Sequence, residues 1–366
     1  MVLILAPACE YTVRMASLSR RAILAAALLA APAIAPAAGP VRLIFDTDMG
    51  NDVDDALALA MIHALESRGE ARLLAVTLTK DSRSAAPFVD LVNTFYGRPQ
   101  IPIGAVKNGK TTNDTPMIRV PAERRNAAGA YVYPHRLTDG TTAPDAVSVL
   151  RRVLSAEPDG SVTIVQVGFS TNLARLLDSP ADAVSPLPGA QLVARKVRLL
   201  SAMAGHFPEG KPEFNVATDI PAARKVFESW PSPVVFSGFE IGAALLFPAA
   251  CIEHDFAWVA DHPVAEAYRN YMRMPYDRPT WDLTAVLYVV RPDRAYFSLS
   301  PEGRVTVDDA GQTHFAAAPG ASRRYLILDP AQKARALEAL LLLASQPRDR
   351  QAGPSSAPPV HVAAAH

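Results

Sequence analysis

Alternating strand-like and helix-like segments predict an α/β fold: a single large doubly wound domain whose mostly parallel central sheet is flanked by helices. The run Val41 to Phe45, apolar at four of five positions, reads as a buried parallel strand. The Ala/Leu-rich run that begins near Asp54 reads as the helix after it. With 366 residues, 49% of them hydrophobic, the chain can bury a large core.

The remaining elements follow in order. Leu73 to Thr79 reads as a strand and Ala85 to Tyr96 as a helix. Residues 106–143 are polar and irregular, which fits a lid or an insertion. Asp145 to Ser155 reads as a helix, Val162 to Val167 as a strand ending at Gly168, and Thr171 to Leu177 as the start of another helix. Val197 to Met203 and Pro233 to Ser237 read as strands with a helix, 219–229, between them. Residues 262–290 look mainly helical apart from a Pro-rich break at 275–279. Val305-Thr-Val and Tyr325-Leu-Ile-Leu suggest late strands, and Ala331 to Leu343 a last helix. From Gln346 onward Pro, Ser, Ala and charge dominate, so residues 346–366 are expected to form a disordered tail. There is no internal repeat.

The first 38 residues read as a targeting segment rather than fold. Ser19-Arg20-Arg21 precedes a short apolar run and Ala35-Pro36-Ala37, a secretory signal pattern with a twin-arginine character; Ile23 near the usual Phe position keeps the general secretory route open. Met15 is the better start codon. The expected mature protein is exported, periplasmic or secreted, with 39–345 as its catalytic domain and no membrane attachment. Cleavage near Ala37–Gly39 would leave Cys251 as the single cysteine, read as a packed small hydrophobe. Formal net charge is zero, so no global basic surface argues for nucleic acid or an anionic membrane as partner.

The feature that points to chemistry is the set Asp46, Asp48, Asp52, Asp54 and Asp55, five carboxylates within ten residues, directly behind the first strand. One or two acids there would serve as a helix cap and dipole partner. Five crowd the carboxyl end of a strand and the first turn of the next helix, where open α/β sheets place ligands. Such like charges desolvate badly and need a cation or a polyhydroxylated ligand. An all-oxygen cluster suits a hard cation such as Ca²⁺ or Mg²⁺.

Four motifs in order make the sequence recognisable. Asp46-Thr-Asp48-Met-Gly50 with Asp54-Asp55-Ala resembles the N-terminal fingerprint of the nucleoside hydrolases of the inosine–uridine-preferring type, usually Asp-x-Asp-Pro-Gly-x-Asp-Asp. Here Met49 replaces the Pro, and two extra residues precede the acid pair. Val167-Gly-Phe-Ser-Thr171-Asn172 resembles the family's Thr-Gly-Pro-Leu-Thr-Asn, Glu213-Phe214-Asn215 its Glu-Phe-Asn, and Trp281-Asp282 its late aromatic-or-His plus Asp. The resemblance covers about 41–345.

It implies hydrolysis of a nucleoside N-glycosidic bond through an oxocarbenium-like transition state, assisted by Ca²⁺. By the same resemblance Asp48 binds the ion and takes the water's proton. Asp55, Asp282 and the backbone carbonyl of Val167 complete its ligands. Asp54 and Asn215 bind ribose hydroxyls, Glu213 lies near the 5′ end, Phe214 walls the sugar, and Asp46 is a supporting acid behind them. The implied protein is a homo-oligomer, a dimer or tetramer.

The departures bear on substrate. Trp281 stands where many members carry a His that could protonate the leaving base; indole supplies no such proton, but it stacks on a purine. Purine nucleosides are therefore expected to be favoured. Lys80 and Asp81 stand where the family has a Gly-Asn and are candidates to meet the ribose, with Lys80 better suited to pairing with an acid. His206 and His135 are candidate donors to the leaving group. A non-catalytic nucleoside- or sugar-binding protein on the same fold is the alternative. A haloacid-dehalogenase-like phosphatase fits less well, because Met49-Gly50 and the extra acids depart from its motif.

Overall fold

The computed structural model describes residues 39–348; the expected signal segment, 1–38, and residues 349–366 of the expected tail lie outside the described residues. The chain opens with β1 (Val41–Thr47), α1 (Asp54–Ser67), β2 (Ala71–Leu78), α2 (Ala85–Phe95) and β3 (Ile103–Ala105). It continues through α3 (Pro116–Glu123), α4 (Ala146–Ala156), β4 (Val162–Gln166), α5 (Thr171–Asp178), α6 (Gly189–Lys196) and β5 (Val197–Met203). Next come α7 (Phe214–Thr218), α8 (Ile220–Ser229), β6 (Val234–Ser237), α9 (Phe239–Ala243), β7 (Leu246–Phe247), α10 (Ala249–His254) and α11 (Pro263–Tyr271). The last part holds β8 (Arg278–Pro279), α12 (Trp281–Val290), β9 (Ser298–Leu299), β10 (Gly303–Val307), β11 (Thr313–Ala317), β12 (Arg323–Ile327) and α13 (Pro330–Ala344).

The main sheet runs β11-β10-β12-β6-β5-β4-β1-β2-β3, with β9 attached to β12. From β3 through β12 its strands are parallel; β10 and β11 form an antiparallel edge. The chain walks outward from β1 to β3, then returns to lay β4 on the other side of β1. The crevice between the carboxyl ends of β1 and β4 is therefore the topological switch point, where such sheets bind ligands. Asp46 of β1 sits there, opposite Thr77 of β2 and Gln166 of β4.

The apolar run of β1 supplies both faces of this sheet. Leu43 and Phe45 join the core built with α1, α2, α11, α12 and α13, whereas Ile44 joins the core built with α4, α5, α6 and α8. Period-two alternation thus lets one apolar strand serve two cores. Every residue of α1 from Asp54 to Leu65 is buried. That explains a sequence of Ala, Leu, Met and Ile without a polar stripe. Among the described residues no helix is long and apolar enough to cross a membrane.

Several short or exposed elements carry no readable sequence signal. The strand β3 has only three residues, α6 follows a run of Pro and Ser, and β11 is a largely exposed edge strand without apolar alternation. The polar stretch 106–143 includes α3, whose Met117 and Ile118 are fully buried.

The core built with α1, α2 and α11 encloses His262, whose ring sits 4.8 Å from those of Phe95 and Phe256 and 5.0 Å from Trp258. Its Nδ1 accepts the Val264 amide at 3.3 Å, capping α11. Burial, then Arg269 and Arg348, push its pKa down to about 3. The unfolded chain protonates this group near its ordinary value of 6.5 while the fold keeps it neutral. Stability is therefore present above pH 6.5 and is lost as pH falls below it, by roughly 1.4 kcal/mol per pH unit. Denaturant unfolding between pH 7.5 and 5 should show this slope, and His262→Asn, which keeps a capping acceptor, should flatten it.

Candidate active site

The site grows from the end of β1. Gly50 turns the chain with φ of +109°, a conformation that costs glycine little, and a Cβ there would strike the Ile118 side chain at 2.6 Å. The close approach of β4 on the other side needs Gly168, since a Cβ there would lie 2.5 Å from the Asp48 amide nitrogen. Asp48 is thereby fixed at the switch point and is 5% exposed. Its Oδ2 accepts the Asn51 amide at 2.7 Å. The other end of that amide accepts from the buried Lys80 at 2.5 Å, and Lys80 also donates to Asn113 at 2.9 Å. Lys80 therefore meets two amide oxygens rather than an acid or the pocket, and Asp81 accepts the Gly109 amide, away from the cavity.

Two helix N-termini then bring acids to the same place. Asp54 and Asp55 open α1 and Asp282 opens α12, so each acid faces the positive end of a helix dipole. The Asp54 Oδ2 accepts the Asp282 backbone N–H at 3.1 Å, which ties the two helix ends together. Thr47 Oγ1 donates to one oxygen of Asp55, and the other is buried with no hydrogen-bond partner. Burial first, and then the neighbouring carboxylates, hold Asp54, Asp55 and Asp282 well above the usual carboxylate range. Asp48 is pushed up to about 6, chiefly by burial and against the pull of Asn51.

These side chains floor a cavity of about 310 Å³, a size suited to a small molecule. Its walls include Val167 and Met203 at strand ends, with Glu213, Phe214 and Asn215 at the start of α7. Glu213 caps that helix by accepting the Asn215 amide at 2.8 Å, and it also takes the Gly205 amide at 3.1 Å; burial pushes it up to about 7. The Asn215 side-chain amide donates to the carbonyls of Val167 (2.7 Å) and Met203 (3.1 Å). The rim is aromatic. Phe214 is 58% exposed, Phe239 41%, and the Trp281 indole N–H is fixed by the Phe239 carbonyl at 2.9 Å.

Of the residues to which the family resemblance gives a role, all line this cavity except Asp46; Lys80, Asp81, His135 and His206 do not. Asp46 lies behind the floor, fully buried, accepting from Thr77 at 2.6 Å and Asn172 at 2.8 Å, and burial pushes it up to about 7. The closest carboxylate triple is Asp54, Asp55 and Asp282, whose oxygens lie within 4.8 Å of one another. Asp48 stands outside this triple, its carboxylate accepting from Asn51. Sequence reasoning missed Asn51, Phe239, Tyr271 and Arg278, and it gave no role to Asp52. The position of Phe239 just past β6, at a strand's carboxyl end, is a signal that could have found it. His206 packs against Phe239 at 5.5 Å and His135 against Tyr131 at 4.3 Å; neither lines the cavity.

The residues present fit a metal ion. The donors are all oxygen, the carboxylates are buried together, and one Asp55 oxygen has no protein partner. Such a set resists ionisation on its own and accepts a hard divalent cation.

Fold and site define an α/β protein with an acidic ligand pocket at its switch point, suited to metal-assisted chemistry on a hydroxylated substrate. The comparisons make this specific. The profile of the inosine-uridine preferring nucleoside hydrolase family matches residues 43–340, and the chain belongs to that family. It is a nucleosidase, a hydrolase of N-glycosyl bonds, in a metal-dependent family. No curated protein matches. Among solved structures it resembles a purine-preferring ribonucleoside hydrolase from Gardnerella vaginalis, at 19% identity and TM-score 0.60, over 83% of this chain and 98% of that one. It also resembles an inosine-uridine preferring nucleoside hydrolase from Bacillus anthracis, at 17% identity and TM-score 0.59, over 83% of this chain and 99% of that one. A plant nucleoside hydrolase matches at 22% identity and TM-score 0.55, over 84% of this chain and all of that one.

Proposed function

We propose that this protein is an exported, Ca²⁺-dependent hydrolase of ribonucleosides that favours purines and releases ribose and free base. The observation that carries the reading is the buried carboxylate floor beneath an aromatic rim, in a cavity of nucleoside size. Asp48, Asp55, Asp282 and the Val167 carbonyl would hold the ion. When bound, Ca²⁺ supplies charge that acidifies water and grips the ribose diol.

The chain's own residues do the rest. Asp48, oriented by Asn51, takes a proton from the attacking water. Its carboxylate is largely ionised at neutral pH because its pKa is near 6. Asp54 and Asn215 bind ribose hydroxyls, and Glu213, held by backbone amides, lies at the 5′ side. The surrounding carboxylates stabilise positive charge developing on the sugar ring. Asp46 braces β1 against β2 and α5 through Thr77 and Asn172. Phe214 covers the sugar, and the base stacks on Trp281.

Ribose release from inosine, adenosine, guanosine, uridine and cytidine, with Ca²⁺ and with chelator, tests the reading. No release from any of them would overturn it. Stacking is worth about 1–3 kcal/mol per base, so Trp281→Ala should lower kcat/KM for purine nucleosides roughly 10- to 100-fold and for pyrimidine nucleosides less. Equal losses would remove Trp281 as the base platform. The expected signal at 1–38 and a homo-oligomeric state remain part of this proposal; the size of the secreted product and its mass in solution test them.

A further inference from the structure

Arg278 is the cation in the cavity wall that the reaction above does not use. Its Nε donates to one oxygen of Asp52 at 2.9 Å, and its Nη2 donates to the other. Nη2 also meets the Tyr271 hydroxyl at 3.0 Å. The guanidinium carbon lies 5.1 Å from the centre of the Tyr271 ring and 5.2 Å from that of Trp281. The side chain is 21% exposed and lines the same cavity as Asp48 and Trp281. Its Nη1 makes no hydrogen bond to any described residue. Asp52 comes from the two-residue insertion after Gly50, and Arg278 from the two-residue strand β8 in the Pro-rich break before α12, so two connecting segments meet to hold one guanidinium.

Resting on the nucleosidase reading, we infer that Arg278 receives the leaving nucleobase. Its Nη1 donates to an acceptor on the edge of the base stacked on Trp281, and its charge stabilises the negative charge the base acquires. As the glycosidic bond breaks, both electrons go to the base nitrogen. A water oxygen bonds to the anomeric carbon, and that water's proton goes to Asp48. A guanidinium does not surrender its proton, so the base departs as a hydrogen-bonded anion and takes its own proton from solvent. Asp52 and Tyr271 are positioning residues that fix the guanidinium plane through bidentate and hydroxyl contacts.

This arrangement also selects the substrate. Arg278 offers only donors. A 6-oxopurine presents acceptors at N7 and O6, whereas adenine presents an amino donor beside N7. Oxo bases are therefore favoured over amino bases, because a mismatched base leaves the guanidinium facing another donor.

The test uses the metal-loaded full chain with inosine, adenosine and 4-nitrophenyl riboside, whose leaving group is a stable anion unaided. Wild type should favour inosine over adenosine about 10-fold or more in kcat/KM. Arg278→Met should lose at least ten times more on inosine than on the nitrophenyl riboside, and its inosine-to-adenosine ratio should approach one. Asp52→Asn should lose kcat on inosine by a smaller factor in the same pattern. Where Arg278→Met folds poorly, Arg278→Lys, which keeps charge but loses the planar fork, reads the same ratios. Parallel losses on inosine and the nitrophenyl riboside, or an unchanged inosine-to-adenosine ratio, would overturn the assignment while leaving the nucleosidase reading intact. A wild type that cleaves no riboside would overturn both.

Discussion

Asp48→Asn is expected to lower kcat for ribose release by roughly 1,000-fold while nucleoside binding survives. Loss of a positioned general base costs on the order of 100- to 10,000-fold, and asparagine keeps the shape of the floor but cannot take a proton. A second readout separates this from structural damage. The fold raises the pKa of Asp48 to about 6, so ionising it at neutral pH opposes folding. Removing that charge should stabilise the metal-free protein by on the order of 1–3 kcal/mol at pH 7. A variant that is slower yet more heat-resistant without metal fits a proton acceptor. A variant that keeps activity within tenfold would strip Asp48 of the role.

Chelation should abolish turnover and lower the thermal midpoint together. An ion at 100 times its dissociation constant stabilises the folded state by about 2.7 kcal/mol, which for a domain of this size is several degrees. Burial and the neighbouring carboxylates make Asp54, Asp55 and Asp282 hold their protons to higher pH than free carboxylates do. Binding of Ca²⁺ must displace those protons, so affinity should weaken as pH falls, and titrations in buffers of different ionisation enthalpy should register proton release. Asp282→Asn should abolish the Ca²⁺-dependent rise in midpoint. A midpoint that ignores Ca²⁺ at every pH would mean the floor holds no such ion.

The parts legible in the sequence were those where one physical cause dominates. Val41 to Phe45 announced a buried strand because both its faces are apolar, and Asp54-Asp55 at the head of an Ala/Leu run announced where the helix would bring charge. The fold class and family followed from these and the later motifs. The illegible parts depend on tertiary contact. Nothing in Tyr271 or Arg278 alone says that they meet Asp52, because that meeting is made by α11, β8 and the turn after β1 in three dimensions. Lys80 looked like an acid's partner by charge, yet geometry gives it two amides. The strand β11 was hidden because an exposed edge needs no apolar pattern.

The division between floor and rim has an evolutionary consequence. The floor acids sit at the end of β1 and on α1 and α12, elements locked inside the main core, where most substitutions would cost stability. Apart from Trp281 at the head of α12, the rim comes from short or peripheral pieces, α7, α9, the end of α11 and β8, whose rim side chains are partly or largely open to solvent. Changes there are cheap for the fold and direct for recognition. A lineage built on this scaffold can therefore wander among substrates by small steps at the rim, each one viable, while the bond-breaking apparatus beneath stays under a separate and stricter selection.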